Sequence, residues 1–230
     1  MAKRTLHLTP DLVARVHRAV PDTGPPPGMV LQTDADYEGW VARTLASDPA
    51  PDQPIRLFAF GSLIWKPEVD HVAETPALAR GWHRAFCLRQ VRFRGTPDAP
   101  GLMLAFDRGG SCRGVMFSLA PGDKAAQLDR LFRREFTVKP INNIPRWITV
   151  QTADGPASAL AFVMNRASPA YAGKLPVEEV AKVLSRSCGH SGSGAEYLLN
   201  TVSHLEARGI HDRYLWQLQA LVAERIEAHS

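Results

Sequence analysis

Near the end of the segment DKAAQLDRLFRREF, Leu128, Leu131, Phe132 and Phe136 stand at i, i+3, i+4 and i+8, the spacing of one apolar helix face. Glu135, at i+7, falls on that face. A carboxyl turned inward at a helix C-terminus loses hydration and meets the negative pole of the helix dipole, and both favour the neutral acid. Such a group takes up its proton nearer neutrality and suits general acid and base work. An ion pair with Arg134 or another arginine is the other reading, and the pattern alone supports the two equally.

A second chemical element is Phe58-Ala59-Phe60-Gly61-Ser62-Leu63-Ile64-Trp65. A Gly-Ser turn directly after an apolar strand presents successive backbone N–H groups, which can hold a carboxylate or a developing oxyanion. It can equally be a plain strand-ending turn, and spacing does not choose between them.

Other motifs carry less. Gly189-His190-Ser191-Gly192-Ser193-Gly194 is not GxGxxG, follows no strand, lacks the lysine of a phosphate loop, and fails the GxSxG pattern. It reads as a flexible loop in which Ser193 caps the next helix. His83 and Cys87 stand four apart, but no second pair with ligand spacing supports them, so no metal site is expected. The run from His83 to Arg94 interleaves basic and aromatic residues. Strand alternation would place Phe86, Leu88 and Gln90 on one face and Cys87, Arg89, Val91 and Phe93 on the other, so neither face is a stacking platform for bases. Its arginines are expected to be solvated or paired with carboxylates.

The elements that must position these residues follow from periodicity. Thr9 as cap, Pro10 at the first turn, and Leu12, Val13, Val16 and Val20 predict a helix over 9–20. Tyr37, Trp40, Val41 and Leu45 predict another between the proline-rich stretches 21–28 and 47–54. These first 54 residues read as a helical N-terminal extension. From Ile55 short apolar runs at 55–60, 101–106, 113–120, 147–150 and 159–164 predict strands. Helical patterns follow at about 122–136, 176–186, 194–208 and 211–227. Strands and helices do not alternate regularly, which predicts an α+β fold rather than a doubly wound sheet.

The chain has 230 residues, of which 45% are hydrophobic and 22% charged, which excludes disorder as the main state. Its 27 Lys and Arg against 23 Asp and Glu give a net charge of only +4, far from the basic footprint of a nucleic-acid binder. No apolar run is long enough for a membrane span, and the start MAKRTLHLTP lacks the apolar core of a secretory signal. A cytoplasmic location is expected, with Cys87, Cys112 and Cys188 as reduced, buried thiols.

The segments FAFGSLIWKP, HRAFCLRQVRFRGTPDAPGLMLAFDRGGSCRGVMFSLA, RREF and EYLLNTVSHLEARGI, in this order across about residues 55–227, resemble the ChaC family of γ-glutamylcyclotransferases. The resemblance implies a mixed β-barrel flanked by helices, a catalytic domain over 55–230, no cofactor, and cleavage of glutathione to 5-oxoproline and cysteinylglycine. The family's catalytic glutamate follows an arginine at a helix end and falls on Glu135. Its substrate loop falls on Phe60, Gly61, Ser62, Leu63 and Ile64, and a later tyrosine on Tyr197; Arg94 would meet a substrate carboxylate. Two departures bear on substrate preference. Phe60 stands where the family usually has tyrosine, and FTVKPINNIPRW follows Glu135 where the family usually has glycine and tyrosine. Cyclotransfer on another γ-glutamyl amide or amine, or non-catalytic binding of a γ-glutamyl metabolite, are the alternatives.

Overall fold

Among the described residues, five of six α-helices begin at a Thr, Ser or Asp whose side chain accepts a hydrogen bond from a first-turn amide; the sixth follows Pro176. These caps satisfy donors that have no acceptor within the helix. The computed structural model describes residues 5–229. In chain order the elements are α1 (Pro10–Val16), β1 (Val30–Leu31), α2 (Asp34–Ala46), β2 (Arg56–Ala59), a one-turn 3-10 helix (Ser62–Ile64), β3 (His71–Gln90) and β4 (Gly101–Leu119). They continue with α3 (Lys124–Glu135), β5 (Val138–Lys139), β6 (Asn143–Thr152), β7 (Gly155–Met164), α4 (Val177–Leu184), β8 (Cys188–Gly189), β9 (Gly192–Ser193), α5 (Gly194–Ala207) and α6 (Arg213–Glu227). Two compact units, discontinuous in sequence, emerge.

One unit comprises Met29–Ala85 and Ala105–Tyr171. Strands β2, β4, β3, β6 and β7 close in that order into a barrel. β6 and β7 form a hairpin from Asn143↔Met164 to Thr152↔Gly155. β2 pairs antiparallel with β4 and parallel with β7 through Leu57↔Leu160, so the barrel is mixed. Its strands bury Leu57, Phe58, Phe106, Phe117, Val150, Leu160 and Phe162, the apolar area that drives closure. β4 approaches β2 closely at Gly114, where a Cβ would lie 2.4 Å from the Ala59 carbonyl oxygen and 2.7 Å from the Phe58 ring. α2 packs on α3. At their junction Phe136 meets the rings of Phe132, Trp40, Tyr37 and Phe162 at centroid distances of 5.0–6.3 Å, and the Tyr37 hydroxyl donates to the Phe136 carbonyl. β1 pairs with β5, the strand that follows Glu135.

The other unit comprises the residues up to Gly28, Phe86–Leu104 and Ala172 onward. α4, α5 and α6 pack on one another, and α1 packs on α5 and α6. The buried Gln219 of α6 holds the chain before α1 by accepting from the amides of His7 and Leu8. The segment 189–194, expected as a flexible loop, is instead mostly the hairpin β8–β9. Gly189 explains why: a Cβ there would sit 2.5 Å from the Phe93 carbonyl oxygen and 2.7 Å from that of Arg92. Glycine permits main chain to pack on main chain, and Ser193 caps α5 as expected.

Two expectations about strands need correction. β3 runs for 20 residues through Pro76 and Gly81, and its part before His83 lies in none of the expected strands. The runs at 101–106 and 113–120 belong to one strand, β4, which carries Gly109 and Gly110 at positive φ. Among the described residues no helix is long and apolar enough to cross a membrane. All three cysteines are buried and outside any disulfide.

Candidate active site

Glu135 is the last residue of α3. Phe132 and Phe136 lie in the aromatic cluster and anchor the end of the helix that carries it. The Asn143 side-chain amide donates to the Glu135 main-chain carbonyl, satisfying one acceptor left over at the helix end. The Glu135 side chain is 15% exposed. Its carboxyl is pushed up to about 7, chiefly by burial; the charge of Glu68 adds to this, and the charge and hydrogen bond of Arg134 oppose it. Dehydration therefore outweighs the neighbouring guanidinium.

Arg134 has three partners. Its Nε lies 3.2 Å from Glu135 Oε1, its Nη1 lies 3.6 Å from Glu68 Oε2, and the same Nη1 donates to the Lys66 carbonyl. Lys66 Nζ in turn lies 3.1 Å from Glu68 Oε1. Through Lys66 and Glu68 the end of α3 is tied to the segment that follows the 3-10 turn, so Glu135 and the Gly-Ser loop belong to one assembly.

The loop is built by its main chain. β2 runs into Phe60 and Gly61, and the amides of Ile64, Trp65 and Lys66 turn back onto the carbonyls of Gly61 and Ser62 at 2.9–3.2 Å. As the first residues of the 3-10 turn, Ser62 and Leu63 have amides with no acceptor inside it. The side chains of Leu63 and Ile64 are buried and anchor the turn. Phe60 stacks on Phe106, centroids 4.6 Å apart and planes 13° apart, and Trp82 stacks on Phe106 at 5.5 Å.

Sequence reasoning missed Arg84. This buried side chain donates from Nε to the Phe60 carbonyl at 2.6 Å and from Nη2 to the Arg113 carbonyl, holding the residue before Gly61. Alternation carried a signal, since Arg84 falls on the same face as Phe86 and Leu88. Glu68 was missed as well, and only its backbone reveals it, at φ 57°. Asp107, one residue beyond the strand expected at 101–106, binds the Arg166 guanidinium through both oxygens and accepts from the Tyr171 hydroxyl. Burial alone would raise its carboxyl, but those donors and the Arg108 amide hold it below the ordinary range.

Arg94 and Tyr197 belong to the other compact unit. Arg94 Nη1 lies 2.8 Å from Glu196 Oε2 and 2.9 Å from the Ser193 carbonyl, with its guanidinium 5.2 Å from the centroid of the buried Tyr197 ring. Phe86 meets Tyr197 edge-on at 6.1 Å. Arg92 is likewise paired, with both oxygens of Asp22 at 2.9–3.0 Å. Two arginines of the basic run thus pair with carboxylates, as alternation and modest charge implied.

The chemistry on offer is a carboxyl raised to about 7, tied through Arg134 to the segment after a turn whose first amides have no acceptor inside it. Against known proteins, the family model described as ChaC-like protein matches residues 55–225. A glutathione-specific γ-glutamylcyclotransferase of Escherichia coli K12 is 32% identical over 173 residues, covering 75% of this chain and 74% of that one. Glutathione-specific γ-glutamylcyclotransferase 1 of Mus musculus is 28% identical over 192 residues, covering 80% and 81%. Among solved structures, a yeast γ-glutamylcyclotransferase specific to glutathione superposes with a TM-score of 0.68 at 20% identity, over 77% of this chain and 99% of that one. The last likeness bears on the fold, and it agrees with the mixed barrel and flanking helices.

Proposed function

The chain belongs to the ChaC-like family, and from that premise we propose that it is a glutathione-specific γ-glutamylcyclotransferase, a lyase releasing 5-oxoproline and cysteinylglycine. The observation that carries the mechanism is Glu135, a carboxyl raised to about 7 by burial at the position that the family resemblance assigns to catalysis.

Glu135 takes a proton from the α-ammonium of the γ-glutamyl unit. The freed amine attacks the γ-carbonyl carbon, a five-membered ring closes, and the amide C–N bond breaks. Of the three hydrogens on the α-nitrogen, one stays on the lactam and two end on the leaving amine, relayed by Glu135. The nucleophile belongs to the substrate, so the protein's task is to hold the chain curled and to move protons. The amides of Gly61, Ser62 and Leu63 face the γ-glutamyl group or its oxyanion. Phe60 supplies an apolar wall and Ile64 anchors the turn; substrate-binding roles for Tyr197 and Arg94 rest on the family resemblance. For Arg94 to meet a substrate carboxylate, that carboxylate would take the place of Glu196, which is 42% exposed.

In this reading the catalytic domain spans 55–230 and residues 1–54 form an N-terminal extension, which the start of the family match at residue 55 supports. No cofactor takes part, the partner is the small-molecule substrate, and the site of action is the cytoplasm. Incubation with glutathione, with 5-oxoproline and cysteinylglycine measured as products, tests the assignment. Turnover of a different γ-glutamyl compound in place of glutathione would move the substrate and leave the chemistry. Binding without turnover of any γ-glutamyl compound would make the chain a binding protein.

A further inference from the structure

Glu68 stands apart from the rest of the backbone. Among the described residues it is the one residue other than glycine with a positive φ, 57°, a left-handed conformation that L side chains adopt at a cost. Such a conformation persists where the surroundings enforce it, and it concentrates at functional sites. Here it accompanies a set of side-chain contacts. The Glu68 carboxylate bridges Lys66 Nζ at 3.1 Å and Arg134 Nη1 at 3.6 Å, and Arg134 is the residue whose Nε meets Glu135 Oε1.

We propose that Glu68 is a positioning residue for Glu135, acting by holding the Arg134 guanidinium in common with it. This rests on the reading of Glu135 as the base. A guanidinium facing a lone carboxylate closes a two-point fork on it, which fixes both oxygens and keeps them ionised. In this protein Nη1 of Arg134 is turned to Glu68 and to the Lys66 carbonyl, so the guanidinium is shared and not given to Glu135 alone. The contact with Glu135 runs from Nε to Oε1 at 3.2 Å, and the Glu135 side chain keeps 15% of its exposure.

The other charged groups around Glu135 do not compete for this role. On α3, Arg133 faces Asp129 and Asp34 of α2, and Arg130 donates to the Glu68 carbonyl at 3.5 Å. On α2, Asp36 pairs with Lys139 of β5. From β6 comes the neutral amide of Asn143. The charge balance at Glu135 is therefore set by Arg134 against Glu68, and Lys66 draws part of the latter.

Removing the Glu68 carboxylate takes away a like charge and gives Arg134 wholly to Glu135. Both changes favour the ionised form, so the Glu135 titration moves down, by about half a pH unit to one unit. The test is a carboxyl ¹³C NMR titration of protein labelled at glutamate, with Glu135 assigned by the loss of its signal in Glu135→Gln. Glu68→Gln and Glu68→Gly should both lower the Glu135 midpoint, and the glycine variant fits the backbone angle without strain. Glu68→Asp, which keeps the charge and tolerates the left-handed region, should lower it less. A midpoint that is unchanged or raised in both Glu68→Gln and Glu68→Gly overturns the proposal. Because the titration needs no turnover, it stands apart from the base assignment, which fails separately if Glu135→Gln remains active. Where turnover is measured, the acid limb of kcat/KM should shift with the NMR midpoint.

Discussion

Arg134 Nε lies 3.2 Å from Glu135 Oε1, and the carboxyl nonetheless stays raised to about 7. The ion pair and the raised carboxyl, two readings that the helix pattern left open side by side, are both present. Burial of Glu135 exceeds what one guanidinium shared with Glu68 can offset.

The first expectation is kinetic. A base must be unprotonated to act, so kcat/KM for glutathione should rise with pH along a limb centred at about 7. A limb near the ordinary glutamate range, measured under first-order conditions across buffers of constant ionic strength, would assign the base elsewhere.

The second concerns stability. Between the unfolded value near 4.5 and the folded value of about 7 the native state binds more protons than the unfolded chain, so this group's contribution to stability is lost as pH rises through that window. Glu135→Gln carries no such cost. Relative to the parent, its stability should therefore gain roughly 1–3 kcal/mol between about pH 4 and pH 8. Denaturant melts of both proteins at the two pH values measure it, and equal pH dependence would argue against a buried, titrating Glu135.

The third concerns the turn. Gly61→Val places a β-branched side chain at the N-terminal cap of the 3-10 turn, where it restricts the backbone and crowds the amides that follow. Turnover should fall strongly, whereas Ser62→Ala, which leaves every main-chain donor, should act several-fold less. Parent kinetics in a folded Gly61→Val protein would reduce the loop to a strand terminus.

How far the sequence speaks depends on the kind of information asked of it. The inward face of α3 was legible because a 3.6-residue period is local, and the observed helix Lys124–Glu135 places Glu135 at its inner end as the spacing required. β3 was not, because its alternation is diluted by Pro76 and Gly81 and its burial is set by pairing with β6, far along the chain. The Phe60 to Ile64 turn was legible as a turn, but its support by Arg84 of β3 is a contact between residues 24 apart, which strand alternation over 83–94 does not reveal. Glu68 left no trace, since its conformation is a property of the backbone and KPEVD has the composition of any surface loop.

The fourth concerns substrate range. Phe60 offers a ring and no hydroxyl, and it is already stacked on Phe106. One missing contact to a polar group costs on the order of 0.5–1.5 kcal/mol, enough to reorder substrates and too little to remove activity. Phe60→Tyr should therefore change kcat/KM for glutathione by about 2- to 12-fold relative to another γ-glutamyl amide. Identical substrate ranking in both proteins would show that this wall does not contact the substrate.

The most direct test is 5-oxoproline release from glutathione by the parent and by Glu135→Gln, each shown to be folded. The amide keeps the shape of the side chain and cannot carry the proton. The account predicts 5-oxoproline and cysteinylglycine in equal amounts from the parent and a loss of at least about a hundredfold in the variant. Undiminished release from a folded Glu135→Gln protein would contradict it.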